Sequence, residues 1–110
     1  MQRNILAANH ALKHGTAGSG NNWLVVAAGP YRHLLLHGNR IFEYFGNGVY
    51  RFCLCGYDTH LTKRWLNQLF QLNGIDAKVS SREGTVRLTH NNTITEIDPN
   101  KEYTIHERQS

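Results

Sequence analysis

The sequence predicts an α+β protein. An antiparallel β-meander, one packed amphipathic helix over about residues 59–73 and a second β-meander should form a two-layer sandwich, with a short N-terminal helix. Three observations predict this class. Apolar segments of strand length alternate with Gly- and Asn-containing turns, the hydrophobic period changes to that of a helix at Thr59, and short turn-bounded segments return after Gly74.

The N-terminal part is expected to contain a weak helix and a linker. The apolar residues of Gln2–His14 form only a thin stripe, so we expect a helix that is short or weakly docked and that stops at Gly15. Residues 15–22, GTAGSGNN, have the composition of a flexible linker. Residues 1–22 should therefore form a short N-terminal helix and Gly-rich linker, and residues 23–110 a single α+β domain.

The first meander should begin at Trp23–Ala28, a continuous apolar run that predicts a strand covered on both faces. The sequences HGN and GNG provide the left-handed backbone conformations that tight hairpins need. They separate three further predicted strands, Tyr31–Leu36, Arg40–Phe45 and Val49–Cys55.

The central helix has the strongest hydrophobic period. Asp58 or Thr59 is the predicted N-cap, and Asn73-Gly74 is a predicted left-handed stop. The apolar stripe consists of Leu61, Trp65, Leu66, Leu69, Phe70 and Leu72. The second meander follows, with predicted strands at Ala77–Ser80, Thr85–His90, Thr93–Ile97 and Tyr103–Ile105.

Composition limits the function classes. The 110 residues include 12 Lys and Arg against 8 Asp and Glu, and the resulting net charge of +4 favours acidic partners. The longest apolar run, Trp23–Ala28, is far shorter than the roughly 18 residues that cross a bilayer, and the N-terminus lacks the apolar stretch of a secretory signal. Cys53 and Cys55 lie too close on one predicted strand to form a disulfide framework. We therefore expect no membrane association and a cytoplasmic location.

The stretch GYDTHLTKRWLN places Lys63 and Arg64 in the first turn of the predicted helix, where the helix dipole already contributes positive charge. Helical spacing puts Thr59, Lys63 and Asn67 on one stripe. Free backbone N–H groups, the hydroxyls of Thr59 and Thr62 and the two cations would then converge on a site for phosphate or carboxylate. The alternative is that the cations are solvated, the preceding aspartate offsets them, and the threonines only cap the helix.

Basic residues also interleave with aromatic residues along the predicted strands, a pattern that permits nucleic-acid binding. The alternative is that the aromatic side chains fill the core. The predicted partner- or anion-binding residues are Thr59, Thr62, Lys63, Arg64, Asn67, Arg51 and Arg40.

Histidines and cysteines suggest two weak metal sites. His10 and His14 are spaced like two zinc ligands on a helix but lack the glutamate of HExxH and a third ligand. Cys53-x-Cys55, with two histidines of a neighbouring predicted strand, matches no zinc motif. The sequence also lacks a nucleophile elbow, a Walker loop and a dinucleotide fingerprint. We therefore expect no metal, no cofactor and no enzymatic activity.

The run from Arg40 to Asn67 contains a strand, a GNG hairpin, a second strand and the motif GYxTxxTKxxLN. It resembles a loose set of small bacteriophage proteins of unknown function, in which a hairpin precedes Gly, an aromatic residue, two Thr and an Ile/Leu-Asn pair. Trp65 stands where a basic residue is expected. The matching residues are Gly56, Tyr57, Thr59, Thr62, Leu66 and Asn67. The resemblance implies a phage or prophage origin and a fold element.

Small phage accessory proteins often bind a host or defence component, and by this analogy we expect a non-catalytic accessory protein in the cytoplasm of a bacterial host. The expected partner is a host protein or ribonucleoprotein, and inhibition of a CRISPR-like defence complex is the specific form of this expectation. The alternative is a basic nucleic-acid-binding regulator. A minor alternative is a Cys/His metal protein or an enzyme.

Overall fold

The computed structural model describes residues 2–108, which form two helices and nine strands. The first part of the chain contains α1 (Arg3–His14), β1 (Gly18–Gly20), β2 (Trp23–Ala28), β3 (Tyr31–Leu36), β4 (Asn39–Gly46) and β5 (Val49–Phe52). The second part contains α2 (His60–Leu72), β6 (Ala77–Arg82), β7 (Thr85–His90), β8 (Thr93–Glu96) and β9 (Tyr103–His106). The predicted α+β class is confirmed. Neither helix has the length and hydropathy of a membrane-crossing segment within the described range.

The strands form two antiparallel sheets. Sheet A has the order β1-β2-β3-β4-β5-β9, and sheet B has the order β6-β7-β8. Both helices contribute to one apolar core with the face of sheet A that carries Leu34 and Phe42. Phe70 of α2 lies edge-on to Phe42 and Phe52, with ring centroids 6.1 and 5.2 Å away. Sheet B packs on α2 through β6.

The predicted hairpin turns are confirmed. His37 and Gly38 have φ values of 51° and 81°, and Asn47 and Gly48 have φ values of 53° and 73°. Two successive left-handed residues match the right-handed twist of the flanking strands, which explains why Gly and Asn occupy these turns.

The N-terminal segment differs from the sequence prediction. The side chains of Ile5, Ala8 and Leu12 are fully buried, so α1 is a firmly docked part of the core and the expectation of weak docking was wrong. The glycine-rich stretch is not all linker, because Gly18–Gly20 pairs with β2. A Cβ added at Gly20 would lie 2.1 Å from Nε1 of Trp23. Glycine is therefore needed where the indole packs over β1.

Two predictions about individual strands were also wrong. β2 is covered on one face only, since Trp23 and Val25 are buried while Leu24 is 43% exposed. Among residues 2–108, no second layer covers the opposite face of sheet A at this strand. β5 stops at Phe52, short of the predicted end, and the chain turns away where Cys55 adopts a left-handed φ of 55°.

The last strand belongs to the first sheet. The sequence prediction placed Tyr103–Ile105 in the second meander, but β9 pairs antiparallel with β5, and Phe52 lies opposite Tyr103. The chain thus leaves sheet A after β5, forms α2 and sheet B, and returns to the same edge of sheet A.

Candidate functional site

The N-terminus of α2 is organised by its two threonines. The Thr59 side chain caps the helix by accepting a hydrogen bond from the Thr62 backbone N–H at 3.2 Å, and the two hydroxyls are 3.1 Å apart. Thr62 is buried. The predicted capping role of Thr59 is confirmed, and no acidic residue occupies the first turn of α2.

The side chain of Lys63 makes polar contacts within the protein. Its Nζ lies 2.7 Å from Oδ1 of Asp58 and donates a hydrogen bond to the Ser81 hydroxyl at 2.8 Å. Ser81 in turn hydrogen-bonds Asp58. The hydrogen bonds from Lys63 and Ser81 lower the pKa of Asp58 below its usual value. The charge of Lys63 is therefore matched by a carboxylate, and the three side chains join the start of α2 to β6.

Asn67 connects the same two elements. Its Nδ2 donates to the Val79 carbonyl at 2.9 Å, and its Oδ1 accepts from the Val79 N–H at 2.7 Å. The carboxamide thus satisfies both backbone groups of one residue on the edge strand β6, as a neighbouring strand would. This contact gives Asn67 a structural role.

Arg64 remains available to a partner. It is exposed, and no ion pair involves it within residues 2–108. It borders a cleft of about 340 Å³ between α2 and β6, which is also lined by His60, Asn67 and Ser80.

Arg40 and Arg51 lie away from this helix, on the open face of sheet A. Arg51 Nε is 2.8 Å from Glu43 Oε1 and 3.1 Å from Glu102 Oε2, and Arg40 is 3.3 Å from Glu102. The hydrogen bond to Glu43 raises the pKa of Arg51 above its usual value. His33 contacts the other oxygen of Glu43 at 3.1 Å. The structure therefore divides the seven predicted site residues between two places, and acids neutralise the two strand arginines.

A cleft that the sequence did not predict lies on the other side of the α2 N-terminus. It has a volume of about 340 Å³ and separates the β3–β4 turn from the first turn of α2. Tyr57 and Leu61 lie at this cleft and are 53% and 38% exposed, although the sequence placed Leu61 on the core stripe. We call it the apolar cleft; its lining includes Leu36, Ile41, Leu54, Tyr57, Leu61 and Thr62. Two separate chain segments, residues 36–41 and 54–62, contribute to it, which is why no local motif revealed it.

A polar cluster joins the two ends of the chain. The Tyr50 hydroxyl hydrogen-bonds Lys13 and Glu107, and it lies 3.2 Å from the Asn73 side-chain oxygen. Burial, followed by the hydrogen bond to Glu107, raises the pKa of Tyr50 above its usual range. The hydrogen bonds from Tyr50 and Lys13 lower the pKa of Glu107. The cluster fastens α1 to β5 and to the segment after β9.

The thiols occupy sheltered positions. Cys53 is buried, and the Cys55 thiol donates a hydrogen bond to the Arg40 carbonyl at 3.2 Å. Burial and the hydrogen bond with Cys53 raise the pKa of Cys55 to about 12. The proposed histidine pair, His10 and His14, has ring centroids 4.3 Å apart. Over the described range, no three His, Cys, Asp or Glu side chains are grouped as a metal site.

Comparison with known proteins identifies one family. A family model described as Kyanoviridae Gp96 protein matches residues 2–106. No curated protein and no solved structure matches the chain. The predicted resemblance to phage proteins is confirmed at the level of the family, since Kyanoviridae are phages. The match extends over both helices and both sheets, and the chain therefore belongs to the Kyanoviridae Gp96 protein family.

Proposed function

We propose that this protein is a non-catalytic phage accessory protein that binds a host protein, and that the apolar cleft receives an acidic segment of that partner carrying one bulky apolar side chain. The observation that carries the proposal is the pair of exposed apolar side chains, Tyr57 and Leu61, at a cleft with apolar walls. Large apolar side chains that meet a pocket are typical anchors of protein interfaces.

Charge supports an acidic partner. No Asp or Glu is among the residues that line the apolar cleft in the described chain. The α2 N-terminus at its border has a positive dipole end and no acid in its first turn. The whole protein carries a net charge of +4. The lack of acids in the cleft lining, the helix dipole and the net charge would all favour the binding of a carboxylate next to the inserted apolar side chain.

The non-catalytic part of the proposal rests on the thiols. A nucleophilic cysteine needs a lowered pKa, whereas the pKa of Cys55 is raised to about 12 and Cys53 is buried. The Cys55 thiol is therefore held in its unreactive protonated form at neutral pH.

A direct test compares wild type with Leu61→Asp, which puts at the apolar cleft a charge that repels an acidic segment. Leu24→Asp is the matched control, because Leu24 is 43% exposed on the open face of sheet A. Each protein is immobilised, host lysate is passed over it, and every protein retained by wild type is purified and titrated against wild type and both variants.

We expect one host protein or ribonucleoprotein to bind wild type and Leu24→Asp alike. Leu61→Asp should bind it about 30-fold more weakly, which corresponds to the loss of one anchor residue worth about 2 kcal/mol. Equal binding by Leu61→Asp, with its fold intact by circular dichroism, would exclude the apolar cleft as the site.

We further propose that the host component belongs to a CRISPR-like defence complex, by analogy with other small phage accessory proteins. Expression of wild type in a host with active CRISPR immunity should then restore plaque formation by a targeted phage, and Leu61→Asp should not restore it. Unchanged immunity alongside intact binding of the host protein would assign the partner to another host process.

A further inference from the structure

We propose that the outer face of sheet B binds the phosphate backbone of nucleic acid without reading its bases. We call this surface the basic face; it comprises Lys78, Ser80, Arg82, Thr85, Arg87 and Thr89. It is separate from the apolar cleft, and the inference goes beyond the protein-binding function proposed above.

Strand register creates the basic face. Lys78 lies opposite Thr89, and Arg82 lies opposite Thr85. Successive side chains of a strand alternate between faces, and the intervening Val79 and Val86 are buried against the core. The three cations therefore point away from the core on the same side of the sheet.

The cations are spaced to meet separate phosphates. Arg87 lies opposite Ser80, so it is the diagonal neighbour of both Lys78 and Arg82. Diagonal neighbours in an antiparallel pair are about 7–8 Å apart. Arg64 extends the row beyond the edge of β6, where it shares a cleft with Ser80.

The cations of this surface form no ion pair with any described residue. None of Arg64, Lys78, Arg82 and Arg87 lies within 4.0 Å of a described carboxylate. By contrast, Lys13 on α1, Arg40 and Arg51 on sheet A, and Lys63 are paired with acids.

Two acids border the basic face. Glu83 lies in the β6–β7 turn, and Glu96 lies opposite Arg87 on β8. Four cations against these two acids leave a net positive surface, and the expected affinity is correspondingly modest.

The composition favours nucleic acid over a protein partner. The basic face presents three cations and three hydroxyls and no aromatic residue. Protein interfaces are enriched in aromatic side chains at their centre and depleted in Lys, whereas phosphate contacts come largely from Arg, Lys, Ser and Thr. Because phosphate contacts carry no base-sequence information directly, binding should be independent of base sequence.

The test uses fluorescence anisotropy with a labelled 20-base-pair DNA duplex and a labelled 20-nucleotide single strand, each in two base sequences, at 50 and 200 mM salt. The face variant is Lys78→Gln/Arg82→Gln/Arg87→Gln. The control variant, Arg3→Gln/Lys101→Gln/Arg108→Gln, removes three exposed cations elsewhere and changes the net charge equally. If the face variant is unfolded by circular dichroism, Lys78→Gln/Arg82→Gln replaces it, since both of these positions are exposed.

We expect wild type and control to lose about 40-fold in duplex affinity between the two salt concentrations, as three phosphate contacts require, and about 20-fold for the single strand. The face variant should lose most of this salt dependence, and base sequence should have no effect. Three results would overturn the proposal: no binding by wild type at 50 mM salt, equal weakening in the control variant, or tighter binding of labelled polyglutamate than of either oligonucleotide. The last result would indicate an acidic protein partner instead.

Discussion

Replacement of Asn67 distinguishes a structural residue from a binding residue on the same helix. The side chain makes two hydrogen bonds to Val79, at 2.9 and 2.7 Å. Each hydrogen bond contributes about 0.5–1.5 kcal/mol net to stability, and a buried backbone group left without a partner costs about 1–3 kcal/mol. The higher helix propensity of alanine offsets about 0.5 kcal/mol of this loss of stability. We therefore expect Asn67→Ala to destabilise the protein by about 2–4 kcal/mol.

The measurement is urea unfolding followed by circular dichroism and by tryptophan fluorescence, since Trp65 is buried on the same helix. Asn67→Asp is the intermediate case, because it can still accept from the Val79 N–H but cannot donate to the Val79 carbonyl; we expect a loss of about 1–3 kcal/mol. Arg64→Ala, at an exposed position on α2, should stay within about 0.5 kcal/mol of wild type. If Asn67→Ala were as stable as Arg64→Ala, the assignment of Asn67 to the α2–β6 contact would be refuted.

Three further predictions concern other parts of the fold. Gly20→Ala should destabilise by about 1–3 kcal/mol in the same assay, because the new Cβ would displace the Trp23 indole, and an unchanged urea midpoint would contradict this packing. The folded-state pKa of Glu107 lies below its unfolded value, so its contribution to stability is present above about pH 4.3 and is lost as the pH falls through the folded pKa. The difference in unfolding free energy between wild type and Glu107→Gln should therefore shrink between pH 7 and pH 3, and a constant difference would argue against the ionic contact. Because its pKa is raised to about 12, Cys55 should react with iodoacetamide at pH 8 on the order of 1000-fold more slowly in the folded than in the urea-unfolded protein; comparable rates in peptide mass spectra would show an accessible thiolate.

The sequence predicted elements whose physical cause is local. The period of α2, its Thr59 cap and the left-handed turns depend on residues a few positions apart, and they were confirmed. β1 was missed because the sequence GSG has no side-chain alternation to reveal a strand. Its glycines serve the packing of Trp23, which is a tertiary cause.

The candidate sites depend on contacts between residues far apart in the chain, which local sequence patterns do not reveal. Glu43 and Glu102 neutralise Arg40 and Arg51 only because cross-strand register and the return of β9 bring them together. Likewise, the role of Asn67 follows from the docking of β6, which no spacing along the helix indicates.

The return of the chain to sheet A has a consequence for folding. Phe52 and Tyr103 are cross-strand neighbours, so pairing of β5 with β9 closes a loop that includes α2 and all of sheet B. Closing a loop of this length costs about 3–4 kcal/mol of chain entropy beyond a constant term, whereas the hairpins of sheets A and B close over a few residues. β9 should therefore pair with β5 late in folding and separate from it early in unfolding. In native-state hydrogen exchange, its amides should lose protection before those of the hairpin-connected strands β2 to β5, and the Lys13–Tyr50–Glu107 cluster should open with them.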